Sequence, residues 1–509
     1  MRKALIAAAA IPVALSLLVP PSASAVDYVN TKKIRKAVTV NGILAHERVL
    51  QRIANQNDGT RASGTPGYDA SAKYVAATLK KAGYKVKVQE FTFPFFRTLE
   101  EGVSAQISPT PTDYDTATLE YSGSGDVTGP IVPTKDIVIP PTPTPSSTSG
   151  CEAADFVAAP TGPAIALIQR GTCTLEIKVA NAEAAGYDAV LFFNEGQPER
   201  TEIPPVTVGA PADVPVNGLT FEDGAALYAA TQAGPVTGRV FARVEVDLNA
   251  KTANVIADSP KGKKQEVVVV GAHLDSVVEG PGINDNGSGT AAILEIAEEM
   301  AKLKSFKKMQ RKVRFAFWGA EEAGLLGSEY YVENLPDNYL ANIYANLNFD
   351  MVGSPNYVRF VYDGDGSDSE PAGPAGSGAI EEIFTDYFTS QGLASAPTEF
   401  SGRSDYGPFI AVGIPAGGLF SGAEGEKTAE EAEIYGGTAG EWYDPCYHQA
   451  CDDINNLSSK ALSEMGDAAA HAVWTLAKSK SGIQVDGSRV AQKSAQKVAL
   501  AQKGHTQAR

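Results

Sequence analysis

Histidine is scarce in this chain, with five residues among 509, and cysteine is scarcer still, with four. Chemistry that needs an imidazole or a thiol therefore has few positions to draw on. Excess positive charge is absent too. Lys and Arg total 43 against 60 Asp and Glu, giving a net charge of −17 and a pI near 4.9. That balance argues against a nucleic-acid partner, whose phosphates a basic surface would have to neutralise. Long apolar runs are lacking beyond the first twenty residues, and none approaches the 18 or so needed to span a bilayer. No membrane partner is expected.

The one apolar run that exists opens the chain, in MRKALIAAAAIPVALSLLVPPSASA. Arg2 and Lys3 precede an apolar stretch from Ala4 to Val19, then Pro20 and Pro21, then Ala23-Ser24-Ala25. This is the pattern of a secretory signal removed after Ala25, and the run is too short and too rich in small residues to serve as an anchor. The mature protein is expected to be secreted, extracellular and monomeric. Secretion changes what four cysteines mean. In an oxidising compartment an even count favours two disulfides, and of three possible pairings the local ones, Cys151–Cys173 and Cys446–Cys451, are the economical choice.

A length of 509 residues suggests two or three domains. Residues 26–57 carry the apolar spacing of an amphipathic helix. A turn-rich loop, NDGTRASGTPGYD, leads to a second helix, which Asp69 is placed to cap and Gly83 to end. YKVKVQEFTF alternates as a strand. From about 106 the texture changes to polar strands and the low-complexity stretch PPTPTPSSTSG, followed by a small strand–helix–strand unit. Residues 106–249 thus read as an insertion between two parts of a main domain, 26–105 and 250–478. The second part repeats apolar runs ending in acidic residues or histidine: VVVVGAHLDS, FAFWGAEEAG and NLNFDMVG. Alternating strands and helices of this kind predict an α/β fold, a doubly wound mixed sheet flanked by helices. Residues 479–509 read as a basic, dispensable or processed tail.

Open α/β sheets place ligands beyond the carboxyl ends of their strands. His273 and Asp275 follow one strand, Glu321 and Glu322 another, and Asp350 a third. Asp285 lies in a Gly/Asn loop before a helix, and His448 in the segment YDPCYHQACDD. A lone H-x-D is often a capped turn and a Glu pair a solvated face, so the conjunction carries the weight. His273, Asp285, Glu322, Asp350 and His448 form a mixed N/O set suited to two zinc ions. His273 and Asp350 would serve one ion, Glu322 and His448 the other, with Asp285 bridging. Glu321 is then free to act as general base, and Asp275 to orient the His273 ring. Manganese and cobalt suit such donors as well. For the segment holding His448, a Cys/His zinc knot loses because His448 has better partners elsewhere. A redox pair is weakened by the C-x4-C spacing, which leaves a disulfide loop as the frame.

GAHLDS, GINDNGSG, FAFWGAEEAGLLGS, NLNFDM, GRSDYGPF and CYHQAC together resemble the secreted bacterial co-catalytic dizinc aminopeptidases, over residues 41–95 and 250–478. The resemblance implies the metal and base assignments above and adds Tyr447 as a hydrogen-bond donor to the tetrahedral intermediate. It also places Arg403 and Phe420 on the substrate pocket. The insertion resembles a protease-associated (PA) domain on GPAIALIQRGTCTLEIKVANAEAAGYDAVLFFN. Some members carry calcium near the C-terminal helix. Here Asp467 remains but the position four before it is Ser463, a departure that leaves calcium in doubt. The implied activity is removal of N-terminal residues, large and apolar by preference, from peptides with a free N-terminus. A carboxypeptidase or dipeptidase on the same core, a glutaminyl cyclase and a non-catalytic binding protein are the alternatives.

Overall fold

The computed structural model describes residues 26–483. The expected signal at 1–25 and most of the expected tail, 484–509, lie outside the described residues. In chain order come α1 (Val40–Asn55), α2 (Pro66–Lys81) and the long strand β1 (Lys85–Ser108). The insertion supplies β2 (Gly125–Pro133), β3 (Ile165–Gln169), α3 (Leu175–Ala184), β4 (Ala189–Phe193), β5 (Val216–Leu219) and α4 (Phe221–Ala233). A second long strand, β6 (Thr237–Asp258), leads back to β7 (Lys263–His273), α5 (Gly289–Lys302), β8 (Arg311–Trp318) and β9 (Ile343–Phe349). Then follow β10 (Phe360–Tyr362), α6 (Ser377–Ser390), β11 (Ala396–Thr398), β12 (Ala416–Phe420) and α7 (Ser459–Lys478).

All of these strands but β1, which pairs with β6, make one hydrogen-bonded path, β11-β10-β12-β9-β7-β8-β6-β2-β3-β4-β5. The centre of the main domain is parallel: β7 pairs in parallel with both β8 and β9, and β9 with β12. Central parallel strands are covered on both faces, so they read as unbroken apolar runs. Val267–Val270 is that run, with Val268 and Val270 on one face and Val267 and Val269 on the other. The first face packs against α1, α2, α5, α6 and α7 through Leu50, Val75, Ile293, Phe384 and Leu476. The second packs around Trp318, Tyr331 and Phe409. The sheet is mixed, with helices on both faces, as its sequence predicts.

Three local expectations shift. Residues 26–57 form two helices, because Val38 leaves the helical region and Thr39 caps α1 by accepting from the Gly42 N–H. Thr65, not Asp69, caps α2, with Pro66 in its first turn, where a missing N–H costs nothing. Asp69 instead sits in that first turn, and Gly83 ends the helix at a φ of 91°. The expected tail begins too early. Ser479 and Ile483 are buried, Arg311 donates to the carbonyls of Ser479 and Ser481, and Asp27 accepts from the Lys480 and Ser481 N–H groups.

β1 and β6 pair antiparallel from Lys85↔Asp258 to Ser108↔Thr237, with irregularities near Phe93–Phe95 and Thr98–Val103. Both run unbroken through the positions 105/106 and 249/250, where the composition changes. The smaller unit grows from the far end of this ribbon and has its own apolar clusters on the two faces of β3–β4.

Candidate active site

The carboxyl ends of β7, β8 and β9 lie side by side, and each releases its chain into a loop carrying donors. His273 is the last residue of β7 and is buried. Its Nε2 lies 3.2 Å from Asp350 Oδ1 and 3.1 Å from Asp285 Oδ1. The second Asp285 oxygen points the other way, 3.3 Å from His448 Nε2, which is itself 3.1 Å from Glu322 Oε2. Asp285 therefore faces a different histidine with each oxygen. Glu321 Oε2 stands 4.0 Å from His273 Nε2. All five proposed ligands and the proposed base converge on one cleft, buried at His273 and open at His448, whose side chain is 42% exposed.

Asp275 is placed differently from a simple ring acceptor. His273 Nδ1 lies 3.2 Å from the Asp275 carbonyl oxygen and 3.7 Å from its carboxylate. The Asp275 carboxylate accepts the Glu321 N–H at 3.3 Å, so it also fixes the turn carrying the acid pair. That turn is strained in the left-handed region at Ala320, φ 53°, whose N–H donates to Ser63 Oγ at 2.7 Å.

Tyr447 stacks on His448, with ring centroids 3.9 Å apart. Arg403 reaches from the Tyr447 hydroxyl, at 3.4 Å, to the Glu424 carboxylate, at 2.7 Å. Beside them is a pocket of about 310 Å³ lined by Phe360, Phe420, Tyr443, Thr398 and Glu424. Phe420 stacks on Phe360, and Tyr443 meets Phe360 edge-on. Both cysteine pairs are disulfides, Cys151–Cys173 and Cys446–Cys451, and the described residues hold no free cysteine. Asp467, away from the cleft, stands 3.6 Å from the Arg35 guanidinium.

Sequence reasoning missed the groups behind the cleft. Asp452 accepts the N–H groups of Asn284 and Asp285 with separate oxygens, at 2.8 and 3.0 Å, and so holds the Asp285 loop. Its place directly after Cys451 was the available signal. Asn286 ties the same loop to β9, donating to the Phe349 carbonyl and accepting the Met351 N–H. Fully buried Arg61, from the loop before α2, donates to the carbonyls of Leu274, Pro281 and Gly282. No local pattern marks it.

Crowding of carboxylates sets the electrostatics. Burial and the neighbouring Asp285 charge push Glu322 up to about 7, and burial raises Asp405 to about 8. Burial likewise drives Glu321 well above its usual range, against the opposing pull of His273. At His448 burial works the other way, but the Asp285 and Glu322 carboxylates outweigh it and lift the imidazole to about 10. Glu322 Oε1 and both Asp405 oxygens are buried with no hydrogen-bond partner. Several acids this close, with orphaned oxygens, are costly unless cations lie among them. Two imidazoles and three carboxylates are the donors zinc takes, so the residues present fit the metal.

A doubly wound α/β sheet with N/O donors gathered at its strand ends is the architecture of a zinc-exopeptidase fold. The sequence profile of peptidase family M28 matches residues 254–473, and that of the PA domain matches residues 127–227. An aminopeptidase of Pseudomonas aeruginosa is 48% identical over 442 residues, 86% of this chain and 80% of its own. Leucine aminopeptidase 2 of Arthroderma otae is 36% identical over 445 residues, covering 85% and 83% of the two chains. The crystal structure of a zinc aminopeptidase from Bacillus subtilis superposes with a TM-score of 0.62 at 27% identity, covering 88% of this chain and 97% of that one. The chain belongs to peptidase family M28: it is an aminopeptidase with an inserted PA domain.

Proposed function

We propose that the protein is a secreted dizinc aminopeptidase that removes large apolar residues from the free N-terminus of peptides. The observation that carries this reading is the single carboxylate of Asp285 set between two histidines, 3.1 and 3.3 Å away. His273 and Asp350 would hold one ion, Glu322 and His448 the other, and Asp285 both. When bound, two zinc ions supply Lewis acidity and lower the pKa of a water molecule. Glu321, 4.0 Å from His273 Nε2, takes the proton from the attacking water and delivers one to the leaving amine. The Tyr447 hydroxyl, beside the cleft, donates to the oxygen that becomes negative as the carbonyl is attacked. Glu321 and Asp350 also present negative charge to a substrate ammonium, which selects a free N-terminus.

The aromatic pocket of Phe360, Phe420 and Tyr443 supports the apolar preference, as does the leucine aminopeptidase among the relatives. A carboxypeptidase would need a cation free for the substrate carboxylate, and Arg403 is already held by Glu424. Two disulfides support secretion.

The decisive test pairs Glu321→Gln with metal analysis. The variant is expected to keep two zinc ions per chain while kcat on leucine p-nitroanilide falls by about 10²–10⁴. Unchanged turnover would refute the base assignment, and no turnover by the wild type would refute the aminopeptidase reading itself.

A further inference from the structure

A second set of donors lies between helices, away from the strand ends. His46 on α1 and Glu295 and Glu298 on α5 each bring one ligand atom to within 4.8 Å of the others. His46 Nε2 stands 3.8 Å from Glu295 Oε2 and 3.7 Å from Glu298 Oε2. Those separations are too long for hydrogen bonds. A protonated imidazole between two carboxylates would close to about 2.8 Å on at least one of them. Two donors on a single tetrahedral zinc, by contrast, stand about 3.3 Å apart, a spacing reached here by a small side-chain adjustment.

The other ring nitrogen is already engaged. His46 Nδ1 lies 2.6 Å from the Tyr74 hydroxyl on α2. With Nδ1 taken as the protonated nitrogen donating to Tyr74, the Nε2 lone pair faces the two carboxylates, as in a metal-ligating histidine oriented by its second nitrogen. The Glu295 side chain is only 6% exposed. Its second oxygen presses on Gly42, where an added Cβ would stand 1.9 Å away, so the approach depends on glycine there. Lys302, the nearest side-chain cation on α5, hydrogen-bonds Glu299 at 2.7 Å and stays 3.8 Å from Glu298.

We propose that His46, Glu295 and Glu298 bind a divalent transition-metal ion, zinc by the chemistry of the donors, in a site separate from the active centre. The ion cross-links α1 to α5, whose first turn follows the Asp285 loop. Its role is structural, and it takes no part in hydrolysis.

Crystals of the full chain grown with zinc test this directly. An anomalous difference map at the zinc edge is expected to show a peak between His46 Nε2 and the two carboxylates, and His46→Gln crystals to lack it. In solution, His46→Gln and Glu295→Gln are each expected to lose one zinc per chain relative to the wild type, with far-UV circular dichroism unchanged. Glu298→Gln, at a position 22% exposed, repeats the count should the more buried variants misfold. No anomalous density at this position at saturating zinc, or an unchanged count in the folded variants, overturns the proposal. The map locates each ion separately, so missing density at the strand ends would count only against the dizinc reading.

Discussion

At the scale of single residues, the cleft depends as much on groups that hold the proposed ligands as on those ligands themselves. Asp452 receives two N–H groups, one on each oxygen, and thereby sets the path of the chain into Asp285. Asparagine at this position keeps one acceptor and turns an NH₂ toward the other N–H. Asp452→Asn is therefore expected to weaken zinc affinity about 10–100-fold while the protein stays folded, as measured by competition with a chromophoric chelator. Asp452 shows why some of the site was legible and some was not. His273, Glu321, Glu322 and Asp350 announce themselves because each directly follows an apolar run, where a strand must end. Arg61 and Asp452 act through backbone atoms of segments distant in sequence, and such partnerships leave no periodicity to read.

Elements were legible where burial imposed a pattern and illegible where tertiary contacts replaced it. The four valines of β7 fix a doubly covered strand. The length of β1 could not be inferred, since its alternation breaks at the irregularities near Phe93–Phe95 and Thr98–Val103. Residues 479–483 looked like tail by composition, yet Asp27 fastens them. Its carboxylate accepts from Ser479 and Ser481 hydroxyls and from backbone N–H groups, which together hold it well below the usual carboxylate range. A depressed folded pKa contributes stability above the unfolded pKa of about 4 and loses it as pH falls through the folded value. Asp27→Asn is accordingly expected to lower Tm by roughly 2–4 °C at pH 7, and the gap to shrink below about pH 4. A gap independent of pH would show that the carboxylate charge contributes nothing. The charge sits near the surface, so added salt should narrow the gap as well.

For the whole molecule, the two units share strands but not cores. Apolar clusters of the smaller unit contain no residue of the main domain, and the reverse also holds. Independent cores joined by a ribbon predict independent folding. Replacing residues 98–244 by a two-residue hairpin turn between Arg97 and Glu245, which face each other in register, is expected to leave a folded peptidase. Turnover of leucine p-nitroanilide should survive in that variant. An insoluble or inactive product would mean that the smaller unit is required for the main domain to fold.

The base of that ribbon is not neutral ground. Phe91, Phe93 and Phe95 pack with Ala250 against Ala320, the residue before Glu321. Along the ribbon the pairing stays antiparallel from end to end while its register slips at the irregularities, and its reach is set by backbone geometry at about 3.3 Å per residue. The irregularities supply the places where such a ribbon bends. The ribbon is thus footed on Ala320, the residue that leads the chain into Glu321. A substitution at Phe93 is therefore expected to disturb the turn that carries Glu321 and Glu322 before it disturbs the smaller unit.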